Sequence, residues 1–117
     1  MIIQNLSSQK PFTTKDGSQI RSILDKRNSA VKNQSLAEAF LVVGQKTERH
    51  FHQVSEELYF VLEGAGELEI NGEICKVSAG DCALIPPGAW HEIRALAPLR
   101  FLCCCAPPYS DADTFFE

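Results

Sequence analysis

"HFHQVSEELYFVLEG", from His50 to Gly64, sets two histidines one residue apart and follows them within five residues by a pair of glutamates. Side chains on a strand alternate between faces. Read that way, His50 and His52 share a face, and Arg49, Phe51 and Gln53 take the other. Glu57 opens a second extended run, ELYFVLEG, and faces the same way as Tyr59 and Val61. The stretch therefore reads as a strand, a short connection and a second strand, with two imidazoles and one carboxylate turned inward together.

The neighbouring sequence continues the pattern. Downstream, ELEI meets Asn71-Gly72, a hairpin signal because both positions favour positive φ, and EICKV returns along it. Ser78-Ala79-Gly80-Asp81 turns again, CALI stops at Pro86-Pro87-Gly88, AWHEIRAL is extended, Ala97-Pro98 turns, and LRFLCCCA is a last long strand. Upstream, LAEAFLVVG has helix-forming residues, but it is short before Gly44 and ends in Phe-Leu-Val-Val, so it reads as a strand. Asp25–Ser35 is a polar loop, QIRSIL is a strand with Ile20 and Leu24 inward, and KDGS at 15–18 is a turn. In the tail PPYSDADTFFE, Ser110 caps a short helical turn over Asp111–Asp113, and the tail is expected to fold over a barrel end or a neighbouring subunit.

About eight short strands with almost no helix point to an all-β jelly roll, whose closure removes exposed edges. An immunoglobulin-like sandwich would leave the histidines without a reason and lacks its Cys…Trp…Cys pattern. The 117 residues suit a single domain, 1–117, with its core over roughly 18–105 and flanking arms at each end. A net charge of −4 gives no electrostatic case for nucleic acid or for an anionic membrane. No apolar stretch approaches the roughly 18 residues of a membrane helix, and MIIQNLSSQKPF does not read as a signal peptide. The five cysteines include three in a row, Cys103, Cys104 and Cys105, and form no CxxC pair. They read as reduced thiols of a cytoplasmic protein, acting as small hydrophobes; alternatively, alternate members of the run face a pocket.

His50 and His52 supply two imidazoles, and His91, just after Pro-Pro-Gly, is the one other histidine. Three neutral nitrogens and the Glu57 carboxylate suit a divalent transition metal such as iron, manganese, nickel or zinc. Such a set leaves coordination positions open, as a catalytic site requires. Tyr59 projects beside Glu57 and carries a hydroxyl. Phe40 and Val42 are expected to wall the pocket. Trp90 is expected to face away from His91, toward the second sheet or a partner. Parity from His91 turns Arg94 outward, and Arg100 reads as a surface charge.

Two spacings give this set a resemblance. Gly44, five residues, His50-x-His52, four residues, Glu57, six residues and Gly64 resemble the first motif of the cupin family; Gly80, five residues, Pro86-x-Gly88, two residues and His91 resemble the second. One departure is Ala95, where the family often has Asn; that position is not a ligand. The resemblance implies a double-stranded β-helix with metal ligands His50, His52, Glu57 and His91. It also implies a metal-dependent enzyme of dioxygenase or isomerase type acting on a small polar metabolite, with Glu57 and Tyr59 as catalytic candidates. A non-catalytic ligand-binding or sensing module is the alternative. A homodimer is expected, from the resemblance and because QIRSIL can pair with a partner's edge.

Overall fold

Eleven short strands and two three-residue 3-10 turns make up the regular structure of the chain, all 117 residues of which are described by a computed structural model. Strands β1 (Phe12–Thr13), β2 (Gln19–Leu24), β3 (Ser35–Leu41), β5 (Glu56–Glu63), β8 (Cys82–Ile85) and β10 (Leu99–Ala106) form one sheet in the order β1-β2-β3-β10-β5-β8. Strands β4 (His50–His52), β6 (Ala65–Ile70), β7 (Glu73–Ser78), β9 (His91–Ala95) and β11 (Thr114–Phe116) form the other, in the order β11-β4-β9-β6-β7. Every pairing is antiparallel. The two sheets make the jelly-roll barrel that the turn spacing predicts.

Strand parity explains which residues go inside. On β5, Glu57, Tyr59 and Val61 are buried while Glu56, Leu58 and Phe60 are exposed. On β9, His91, Ile93 and Ala95 are buried and Arg94 is exposed. On β10, Leu99, Phe101 and Cys105 face inward with Cys103, and Leu102 and Cys104 take the outer face. The core gathers Leu41, Val61, Leu68, Ile85, Ile93, Leu99 and Phe101 between the sheets. Each such side chain is worth roughly 1.5–3 kcal/mol of burial.

Two turns hold the strands in register. Asn71 and Gly72 both adopt positive φ, +49° and +87°, as a two-residue hairpin of this twist demands. Asn71 also accepts the Trp90 N–H through Oδ1 at 2.9 Å and donates its own N–H to the Trp90 carbonyl at 2.8 Å, which pins the residue next to His91. Gly64 has a positive φ, and a Cβ built there would collide with the Pro98 carbonyl oxygen. No larger residue fits where β5 hands over to β6.

Three parts of the structure depart from the sequence reading. Phe40 and Val42 do not wall the pocket. The β3–β10 register sets Ala39 opposite Phe101 and Ala37 opposite Cys103, so the alanines face the lumen. Phe40 lies opposite Arg100 on the outer face, and Val42 is 55% exposed beyond the strand end. The tail does more than cover a barrel end. Ser110 caps the 3-10 turn Asp111–Asp113 as expected, but Thr114–Phe116 then pairs with β4. Finally, β2 pairs with β3 and, at Gln19 and Ile20, with β1 of its own chain.

Candidate metal centre

The short strand β4 meets β9 at one register pair, His50 opposite His91, so two imidazoles start as cross-strand neighbours. Their ring centroids are 4.3 Å apart. His52 lies two residues on, with its ring 5.1 Å from His50 and 5.6 Å from His91. Glu57 arrives from the opposite sheet on β5. One ligand atom from each of His50, His52, Glu57 and His91 falls within 4.8 Å of the others. Their exposures are 2%, 4%, 4% and 0%, so the cluster is shielded from bulk water.

The outer ring nitrogens are all engaged, and this sets the tautomers. His50 Nδ1 lies 2.7 Å from the Glu48 carbonyl and His91 Nδ1 lies 2.9 Å from the Ala89 carbonyl, so each Nδ1 carries the proton and donates it. The Thr114 hydroxyl donates to the Ser110 carbonyl at 3.0 Å, which leaves its oxygen to accept from His52 Nδ1 at 3.2 Å. With three protons fixed outward, the three Nε2 lone pairs point into the cluster. On the carboxylate, the Cys105 thiol donates to Glu57 Oε2 at 3.2 Å and leaves Oε1 facing the imidazoles.

A metal fits this arrangement. Glu57 Oε1 sits 3.3 Å from His52 Nε2 and 3.4 Å from His91 Nε2. Even so, Glu57 Oε1 and His91 Nε2 are buried polar atoms with no hydrogen-bond partner. Buried polar atoms are rarely left unpaired, at roughly 1–3 kcal/mol each. One divalent cation among three neutral nitrogens and a carboxylate would satisfy both, and the donor set suits first-row ions.

For Glu57 and His50 the electrostatics favour the ligand-ready protonation state. Burial acts to raise the Glu57 carboxyl pKa, but the adjacent His52 and His91 rings outweigh it and hold the group well below the usual carboxylate range. Burial, reinforced by His91, lowers the His50 pKa. For His52, burial alone would lower it, but the Glu57 carboxylate raises it overall. Burial and then the Glu57 charge keep the Tyr59 hydroxyl and the Cys103 thiol protonated. Cys105 is pushed up by the same causes.

Of the expected residues, His50, His52, Glu57 and Tyr59 line one cavity, and the fully buried His91 completes the cluster. Trp90 faces away, packed edge-on against Phe51 at 4.7 Å and under the Arg49 guanidinium at 5.2 Å. Arg100 points outward and pairs with Glu38 and Glu63. Several residues around the cavity were not singled out as site residues from the sequence. Cys105 had a parity signal, since alternate members of the cysteine run share a face. Thr114, Tyr109 and Asp16 had none, because long-range pairing of the tail and of the first hairpin brings them to the cavity.

A two-sheet barrel enclosing a buried three-histidine, one-carboxylate cluster defines a barrel class with an internal metal-capable site. The chain belongs to the cupin family: the family model "Cupin domain" matches residues 38–105. It is 47% identical over 107 residues to an uncharacterized protein of Methanocaldococcus jannaschii, covering 90% of this chain and 86% of that protein. Its fold is shared with a predicted oxalate decarboxylase from Thermotoga maritima (24% identity, 90% and 98% of the two chains, TM-score 0.79). The Streptomyces nucleoside dehydratase Pac13 also shares it (16% identity, 100% and 91% of the two chains, TM-score 0.84).

Proposed function

We propose that this cupin is a metal-dependent enzyme acting on a small polar metabolite. His50, His52, Glu57 and His91 would hold one divalent ion of iron, manganese, nickel or zinc. The observation that carries the reading is the pair of orphaned buried atoms, Glu57 Oε1 and His91 Nε2, in a cluster whose outer nitrogens are already committed. A bound ion supplies Lewis acidity toward a substrate oxygen or, as iron, reactivity with dioxygen. The protein's own groups do the rest. The protonated Tyr59 hydroxyl makes no hydrogen bond to the chain and lines the cavity, so it is a donor for a ligand anchored at the cluster. Cys105 holds Glu57 Oε2, so that Oε1 faces the cluster. The cavity, about 70 Å³ in volume, has room for a ligand of only a few heavy atoms.

Dioxygenase and isomerase-type chemistry are the two reaction classes proposed. The decarboxylase and dehydratase names of the structural neighbours support a small-molecule enzyme rather than either class in particular. A ligand-binding module is the second reading, favoured by the enclosed, Tyr59-bearing cavity alone. We also place the protein in the cytoplasm as a homodimer. Leu58, Phe60 and Leu84, exposed together on the outer face of the six-stranded sheet, support the dimer. Elemental analysis of protein purified without added metal tests the main reading. About one divalent ion per chain is expected, and it should be lost in His50→Ala and His91→Ala; unchanged content in those variants would overturn the site. Turnover by metal-loaded protein separates enzyme from module.

A further inference from the structure

Several polar side chains around the cavity are committed to partners within the chain. Ser22 donates to Asp25, Ser35 accepts from the Tyr109 N–H, and the Tyr109 hydroxyl donates to Asp111. The Asp25 carboxylate is fully committed. Its Oδ1 accepts from the Arg27 and Asn28 amides, and its Oδ2 accepts from the Ser22 hydroxyl and the Arg27 guanidinium. Asp16 differs. All its side-chain bonds converge on Oδ1: the Thr14 hydroxyl at 2.6 Å, the Ser18 hydroxyl at 2.6 Å and the Ser18 amide at 2.9 Å. Oδ2 receives none of them. Asp16 lines the same cavity as the metal cluster, and its charge bears on His50, Tyr59, Cys103 and Tyr109.

Its position is also fixed relative to the cluster. The Glu48 amide donates to the Asp16 carbonyl at 2.7 Å, and the carbonyl of that same Glu48 accepts from His50 Nδ1. The Gln45 side chain donates to the Gly17 carbonyl at 2.9 Å. The turn bearing Asp16 and the strand bearing two ligands are therefore tied through one residue. A carboxylate oxygen held rigidly at the wall of an enclosed pocket is a preorganised acceptor.

We propose that Asp16 is a specificity-determining, substrate-binding residue: its Oδ2 accepts a hydrogen bond from a hydroxyl or ammonium group of a ligand anchored at the metal cluster. The ligand class that follows is a small molecule with a metal-binding oxygen at one end and a hydrogen-bond donor at the other, with Tyr59 donating to it between. This assignment rests on the metal reading above. Asp16→Asn is the informative variant, because Asn keeps Oδ1 as acceptor for Thr14 and Ser18 and replaces Oδ2 with a donor.

Cobalt(II)-loaded protein would be titrated with straight-chain carboxylates of three to six carbons, each unsubstituted, ω-hydroxylated or ω-aminated, following the visible d–d band. In the wild type, at one chain length, the hydroxy or amino acid should bind at least about tenfold tighter than its unsubstituted counterpart, the scale of a charge-assisted bond. In Asp16→Asn the amino-acid preference should vanish while cobalt stoichiometry and thermal midpoint stay as in the wild type. Equal binding of all probes by the wild type, or an unchanged order in Asp16→Asn, overturns the assignment. Failure of the wild type to take up cobalt overturns the metal reading instead, so the two failures are distinguishable.

Discussion

Replacing Thr114 with valine isolates a residue that neither histidine motif contains. The side chain is 8% exposed, and its oxygen is the acceptor 3.2 Å from His52 Nδ1. Valine keeps the shape and the β11–β4 pairing, in which Thr114 lies opposite His52, and removes only that oxygen. His52 then loses the partner that holds its proton on Nδ1. The ring is free to move the proton to Nε2, the nitrogen that faces the cluster, or to rotate. Loss of such an outer partner typically lowers metal affinity about 10–100-fold. At about 1.4 kcal/mol per decade, this is about 1.4–2.8 kcal/mol. The folding cost should be about 2 kcal/mol, the net worth of two neutral hydrogen bonds, one to His52 and one to the Ser110 carbonyl. Competition against a chromophoric chelator gives the metal affinity, and urea unfolding of the metal-free protein gives the stability. Thr114→Val that stays folded and keeps wild-type metal affinity would refute the tautomer argument.

Other consequences follow from the same geometry. Gly64→Ala combines a positive φ with a collision against the Pro98 carbonyl, and it should cost about 3 kcal/mol or more, read as a large fall in thermal midpoint or as insoluble protein. Glu38 is 3% exposed and bonded by Arg21 at 2.7 Å and Arg100 at 2.7 Å. Because both arginine side chains are about 30% exposed, Glu38→Gln should cost about 1–2 kcal/mol in urea unfolding rather than the larger loss of a fully buried pair. Metal affinity should fall with acidification, because protons compete for imidazole nitrogen. His52, raised overall despite its burial, gains its proton first as pH drops, while His50, lowered by burial and by His91, keeps its lone pair to lower pH. Apparent affinity should therefore begin to weaken near or just above the ordinary histidine range of about 6.5, and a flat profile from pH 8 to 5 would contradict the assignment.

Where local rules decide, the sequence reading and the structure agree. Period two placed Glu57, Tyr59 and Val61 on one face, and Asn71-Gly72 could hardly be anything but a hairpin. The spacing of His50, His52, Glu57 and His91 identified the cluster because each ligand's direction follows from strand parity near a turn. Misreadings came where register decides. Phe40 and Val42 looked like pocket walls, yet the pairing of β3 with β10 turns Phe40 outward and Ala37 and Ala39 toward the lumen, and Val42 lies beyond the strand end. Asp16, Tyr109 and Thr114 reach the cavity only after the first hairpin and the tail have docked, and nothing in their immediate neighbours signals that.

The partners of the three histidines show why one of them needs a residue so far along the chain. His50 and His91 each open a strand, and each donates Nδ1–H to the backbone carbonyl two residues before it, Glu48 and Ala89 respectively. Any residue type supplies that carbonyl, so these two imidazoles are oriented by the extended approach to the strand. His52 closes β4, and the residue two before it is His50, which is itself paired with His91 on one side and Phe116 on the other. Its partner must come from outside the strand, and the tail provides Thr114. The two kinds of support predict different sensitivities. Glu48→Ala removes an exposed side chain and leaves its carbonyl in place, so it should leave metal affinity within about twofold of wild type, as surface changes away from such features do. The 62-residue separation between Thr114 and His52 should matter far more than the two residues between Glu48 and His50. If chelator competition ranked Glu48→Ala as the more damaging of the pair, the orientation of the imidazoles would have to arise some other way.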